Sequence, residues 1–209
     1  MKIVHGSPGF GLKLTQEQTI EFLTDKKLNL LLGTVDKNGD PFIHPVWFLY
    51  ENEKLYVETS KTSKKVQNIQ HKNMVYFCID DENLPYRGVR GKALVKVSTN
   101  IEDNIPIAER IMIKYTGDLK NKVAKILMDG VKAGQSAILE INPVYYSTWD
   151  HSDNWSIYYV AKKTYVVTSN IFQFGLFFFF FIGVGSASVR PNWYVDFCHW
   201  IRCYKKTGG

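Results

Sequence analysis

The chain has 209 residues, 45% of them hydrophobic, and a formal charge of +6, a composition ordinary for one globular domain with additions. Its three cysteines (Cys78, Cys198 and Cys203) form no even framework, and no charged-then-apolar leader opens it. These features argue against a disulfide-stapled secreted protein and lead us to expect a reducing cytoplasm. The charge is unevenly placed. Residues 154–209 carry Lys162, Lys163, Arg190, Arg202, Lys205 and Lys206 against the single acid Asp196, and hold eight of the 13 phenylalanines. The remaining 153 residues are left with +1, which argues against a nucleic-acid surface there. We therefore read 1–153 and 154–209 as two parts.

In chain order, "LTQEQTIEFL" places Thr15 and Gln18 at capping-box spacing ahead of Ile20, Phe22 and Leu23, which predicts a helix start. "LNLLLGTV" and "PFIHPVWFLY" flank "DKNGD", whose Asn38 and Gly39 tolerate the positive φ of a tight hairpin turn. "KLYVET" reads as a third strand, "MVYFCID" as a fourth and "YRGVRGKALVKV" as a fifth. "SAILEIN" and "VYYSTW" read as a closing pair around Pro143. Helices are expected at 63–71, 104–115 and 119–129, where Ile107, Ile111, Val123, Ile126 and Leu127 recur at helical spacing. Short strands joined by tight turns favour a mainly β architecture with α insertions, an antiparallel barrel closed or nearly so.

The stretch "VETSKTSKKVQN" carries the densest chemistry. A strand ends at Glu58 and Thr59, a loop follows, and a helix begins near Thr62 or Ser63 with Lys64 and Lys65 in its first turn. Unpaired amides at a helix start, the positive dipole end, the hydroxyls of Thr59, Ser60, Thr62 and Ser63, and two ammonium groups converge there as an anion socket. The bland reading is that Ser63 or Thr62 caps the helix while both lysines point into water.

Pro45, inside "FIHPVWFLY", cannot donate to a strand ladder and marks an edge or a bulge. Backbone groups of His44, Val46 and Trp47 are then free for a planar heterocycle, although His44 alone reads as structural and Trp47 alone as core. No G-x-S-x-G elbow, zinc-binding H-E-x-x-H helix or Walker loop is present, and "CHWIRC" at 198–203 lacks the four ligands of a structural zinc site.

Three blocks, "LLLGTVDKNGDPFIHPVWFLYENEKLYVETSKTSKKVQNIQHKNMVYFCID", "PYRGVRGKA" and "PVYYSTWD", make residues 14–150 resemble the split barrels related to pyridoxamine 5′-phosphate oxidase. The resemblance implies a split β-barrel that binds FMN or, in some branches, a deazaflavin coenzyme. It places flavin contacts on Ile43, His44, Pro45, Val46, Trp47 and Phe48, on Glu58, Thr59 and Ser60, and on the phosphate-binding pair Lys64 and Lys65. Arg87 and Trp149 border the same pocket in this correspondence. The family commonly has arginine before the lysine of that pair, and Lys64 lacks arginine's two-pronged donor.

The resemblance further implies a flavin- or deazaflavin-dependent oxidoreductase working as a homodimer on a small redox substrate. The alternative is a flavin-binding carrier or sensor without turnover. Vitamin B6 synthesis is disfavoured, since the arginine-rich carboxy-terminal substrate segment of true pyridoxamine phosphate oxidases is replaced by a Phe-rich tail. Within that tail, 164–189 is an uncharged run of 26 residues. It is long enough to cross a bilayer of about 30 Å, but its polar residues and glycines dilute it. We expect the tail to be read-through or frameshifted sequence, with a membrane anchor as the alternative.

Overall fold

A computed structural model of the chain describes residues 1–9 and 11–153. The expectations for 154–209, including the membrane run at 164–189 and the "CHWIRC" clip, lie outside the described residues. The elements are β1 (Ile3–His5), α1 (Gln16–Asp25), β2 (Leu30–Val35), β3 (Pro41–Val46), β4 (Leu49–Glu51) and β5 (Lys54–Ser60). They continue with α2 (Lys64–His71), β6 (Met74–Asp81), β7 (Arg87–Ser98), α3 (Ile101–Thr116), α4 (Lys122–Lys132) and β8 (Ser136–Asp150).

The strands form one sheet in the order β3-β2-β6-β7-β8-β5-β4, antiparallel throughout, with short β1 added parallel to β8. It curls into a half-barrel, the split-barrel arrangement. Alternation along each strand explains the curl: Leu30, Leu32, Leu55, Val57, Ile79 and Val89 turn inward and are buried, while their neighbours face outward. A second, smaller core forms where α3 and α4 pack together through Ala108, Ile111, Met112, Ala124 and Met128.

Turn chemistry fixes the register. Between β2 and β3 the Asp36 carboxylate accepts the amides of Asn38 at 2.8 Å and Asp40 at 3.1 Å. Gly39 there takes φ +93°, whereas Asn38 does not need the left-handed region. The β4–β5 hairpin instead turns on Asn52 (φ 52°) and Glu53 (φ 61°), the two positive angles of a primed turn.

Three expectations change. "PFIHPVWFLY" is two strands, because the chain breaks at Trp47 and Phe48: the Phe48 amide leaves the ladder and donates to the Tyr115 hydroxyl at 3.1 Å, which in turn donates to the Leu28 carbonyl at 2.7 Å. The pair expected around Pro143 is the single strand β8. Pro143 has no N–H to give, and the irregularity is absorbed by a bulge that leaves Val144 between partners of Ala93 and Lys92. The parallel strand β1 was not foreseen. Pro45 does stand on an edge, since β3 ends the sheet.

Candidate functional site

Among the described residues four α-helices begin, and three begin in the same manner. Thr15 accepts the Gln18 amide at 3.2 Å while its own amide donates to Gln18 Oε1 at 2.9 Å, the expected capping box. Asn100 accepts from the Glu102 amide at 3.0 Å, and Asn121 from the Val123 amide at 2.9 Å. At α2 the N-cap residue Ser63 makes no such bond. Its Oγ lies 3.4 Å from Thr59 Oγ1 instead, and Thr62 Oγ1 lies 3.1 Å from Ser60 Oγ. The bland capping reading therefore does not hold for Ser63, and the first-turn amides of α2 receive no acceptor from it.

That helix start borders a cleft of about 690 Å³. One wall is polar: Glu58, Thr59 and Ser60 from the end of β5, Ser136 from the start of β8, and Lys65 from α2. The facing wall is apolar, made of Ile111 and Met112 of α3 with Ile126 and Leu127 of α4. Pro45, Val46 and Trp47 close one end at the sheet edge. The Trp47 ring is stacked on Tyr115 at a centroid distance of 4.8 Å, so its plane is fixed by α3.

The two lysines diverge. Lys65 Nζ turns to the cleft and donates to Thr59 Oγ1 at 3.0 Å. Lys64 Nζ turns away to Asp36 Oδ2 at 3.3 Å and stands 5.0 Å from the centre of the Phe42 ring. Burial lowers the pKa of Lys65, and Glu58 partly offsets this. Burial raises the Glu58 carboxyl, with the Ser136 hydrogen bond and Lys65 pulling the other way. These two are the ionisable side chains that line the cleft.

The other expected contacts are dispersed. His44 shares a hydrogen bond of 3.1 Å with Thr34 Oγ1, which also accepts from Asn68 Nδ2 at 2.9 Å. Burial first, and Lys65 second, lower its pKa, so it is a neutral, structurally tied imidazole. Phe48 is wholly buried in the barrel core beneath Lys114, whose Nζ lies 4.0 Å from the ring centre. Ile43 is 72% exposed on the outer face of the sheet. Arg87 stacks over Phe22 at 5.6 Å. Trp149 lies flat against Gly88, where any Cβ would come within 2.3 Å of its ring, and Arg90 covers it. None of these last four lines the cleft. The α3–α4 wall was missed, because residues at helical spacing read as core; Ile111 is indeed buried, yet Ile126 stays 62% exposed.

A family model described as pyridoxamine 5′-phosphate oxidase matches residues 16–150. The chain belongs to that family. No curated protein matches its sequence. Among solved structures it is similar to the conserved hypothetical protein Rv2991 from Mycobacterium tuberculosis, with 17% identity, a TM-score of 0.59, and coverage of 86% of this chain and 96% of that one. It is also similar to an F420 reductase (23% identity, TM-score 0.50, 61% and 94% coverage). The heme storage protein HutZ from Vibrio cholerae follows at 15% identity and a TM-score of 0.49, with 61% and 89% coverage. At such identities the likeness concerns the fold. Among the described residues no helix is long and apolar enough to cross a membrane, and Cys78 is a free thiol.

Proposed function

We propose that the cleft holds the phosphate-bearing end of a flavin, FMN or a deazaflavin relative, and that the protein is a flavin-dependent oxidoreductase acting on a small molecule. The observation that carries this reading is the uncapped start of α2, with Lys65 beside it and a cleft in front of it. Helix amides without an acceptor and a partly buried ammonium form a site for an anion. Family membership supplies the anion's class.

Magnitudes say what else must contribute. A charge-assisted hydrogen bond from Lys65 contributes about 1.5–3 kcal/mol and the helix dipole about 0.3–1. Micromolar affinity needs about 8 kcal/mol. Since Lys64 is committed to Asp36, the difference falls to apolar burial, at about 25 cal/mol per Å². On the helical wall, exposed Ile126 and half-buried Leu127 offer that surface, since Ile111 and Met112 are already buried, and Trp47 offers a fixed aromatic plane. The bound flavin would supply hydride or electron transfer. The chain's own residues bind its phosphate, orient its ring at the β3 edge and exclude water on the α3–α4 side.

Of the dispersed residues, Ile43 fits a dimer. Leu31, Ile43 and Tyr76 are exposed on the outer sheet face, Leu31 in the row of Cys78, Arg90 and Ser147 and the other two in the row through Gly33. They line a second groove of about 670 Å³. We infer that this face meets a second copy of the chain in a cytoplasmic homodimer, and that residues 1–153 suffice for folding and flavin binding. Light scattering of wild type and Ile43→Glu/Tyr76→Glu tests the first point: a dimer converted to a monomer is expected, and an unchanged mass contradicts it.

The functional test is direct. Purified full-length chain is mixed with FMN or a deazaflavin, reduced with a nicotinamide nucleotide and reoxidised with candidate acceptors. Binding with turnover is expected, binding without turnover gives the carrier or sensor reading, and no binding of either cofactor removes both.

A further inference from the structure

A carboxylate shares the cleft with the anion site. Glu58 precedes Thr59, the residue whose hydroxyl accepts the Lys65 ammonium, and both Glu58 and Lys65 line the cleft. Strand alternation puts Glu58 on the opposite face of β5 from buried Val57 and Thr59, toward the α3–α4 side. Across the ladder Glu58 pairs with Ile138 and Ser60 with Ser136, so the Ser136 side chain shares the face of Glu58.

Two other titratable groups share this face of the β5–β8 ladder, Tyr56 and its partner Glu140, and Glu140 is held by Lys54 at 3.0 Å. From α3 and α4 Glu58 meets Ile111, Met112, Ile126, Leu127 and Gly130, none of them ionisable. From α2 comes Lys65 alone, since Lys64 is paired with Asp36. From the loop after β5, Lys61 is held by the Gly134 carbonyl at 2.6 Å. From β3, His44 senses Lys65 but is kept neutral behind Thr34. Glu58 and Lys65 are thus the two ionisable side chains that share the cleft, without a direct ion pair between them. A phosphate dianion arriving at Lys65 engages the ammonium and puts a second negative charge beside a carboxylate with an apolar wall behind it.

Resting on the phosphate reading above, we infer that Glu58 takes up a proton when the cleft binds a phosphate monoester, changing from an ionised carboxylate in the same cleft as Lys65 to a neutral hydrogen-bond donor. The proton comes from solvent and returns to it on release. No bond to the ligand forms. One proton per ligand means that affinity falls up to about tenfold per pH unit wherever the free chain holds Glu58 ionised and the complex holds it protonated.

The test uses full-length chain with FMN as the probe, between pH 7 and 8.5, where the phosphate, with a second pKa of about 6, is already a dianion. Calorimetry in two buffers of different ionisation enthalpy counts protons. Wild type is expected to take up about 0.5–1 proton per FMN and to lose about three- to tenfold affinity per pH unit. Glu58→Gln is expected to take up none, to bind FMN with no pH slope, and to bind more tightly than wild type at pH 8.5. Riboflavin, which lacks the phosphate, is expected to bind both proteins without proton uptake. FMN binding to wild type with no proton uptake overturns the inference alone. So does uptake that persists in Glu58→Gln, including uptake then abolished by His44→Gln. Failure of FMN to bind wild type at all overturns the phosphate reading together with it.

Discussion

The starts of α2 and α3 are the instructive pair. Each lies in the same half-barrel domain, each is preceded by a residue type favoured at N-caps, and each opens a helix with buried apolar anchors. At α3, Asn100 bonds the Glu102 amide, and Glu102 and Asp103 complement the dipole. At α2 the cap is unmade, the first turn holds Lys64 and Lys65 instead of acids, and the hydroxyls of the approaching loop bond one another. A stability-optimised helix would reverse each of these choices. The same local rule, satisfied in one region and withheld in the other, separates a structural helix start from the one we propose to be kept for a ligand.

The contrast breaks in definite ways. Ser63→Asp supplies the missing cap and sets a carboxylate where the phosphate would sit. FMN affinity is expected to fall at least about 30-fold, about 2 kcal/mol, while stability rises by about 0.5 kcal/mol. Isothermal titration and urea unfolding measure the two. The reciprocal change, Asn100→Ala, is expected to cost about 1 kcal/mol of stability and leave FMN affinity unchanged. Lys64→Ala removes a half-exposed ion pair with Asp36 and is expected to alter FMN affinity by less than about threefold and stability by less than about 1 kcal/mol.

A separate effect, outside the α2–α3 contrast, concerns the far end of α1, whose Leu23 carbonyl is satisfied by Lys114 Nζ at 3.0 Å. Burial lowers the pKa of Lys114 from 10.5 to about 8, with Asp25 a smaller opposing influence. A depressed ammonium disfavours the fold below pH 8 and is relieved as pH climbs toward 10.5. Wild type should therefore gain stability relative to Lys114→Met between pH 8 and 10, read from paired urea curves.

Much of the fold was legible because it rests on local chemistry. The Thr15–Gln18 box, the Asp36–Asp40 turn and the alternation of β2 and β5 need no distant partner, and Pro45 announced an edge. The proposed socket rests on the same kind of local signal: hydroxyls, lysines and a helix start sit within a dozen consecutive residues. What escaped depends on contacts far apart in the chain. Lys64 and Lys65 look alike until Asp36, 28 residues earlier, claims the first. Phe48 reads like its neighbours until Tyr115, 67 residues later, pulls its amide out of the ladder and its ring falls into the core. The apolar side of the cleft escaped because a helix stripe facing an open cleft has the same period as one facing a core.

The central claim is that Lys65, and not Lys64, holds the ligand's phosphate at an uncapped helix. Equilibrium titration of FMN into wild type, Lys65→Ala and Lys64→Ala, followed by flavin fluorescence at fixed ionic strength, tests it most directly. The account predicts at least about tenfold weaker binding, about 1.4 kcal/mol, for Lys65→Ala and near wild-type binding for Lys64→Ala. Equal losses in the two variants, or undiminished binding by Lys65→Ala, would contradict it.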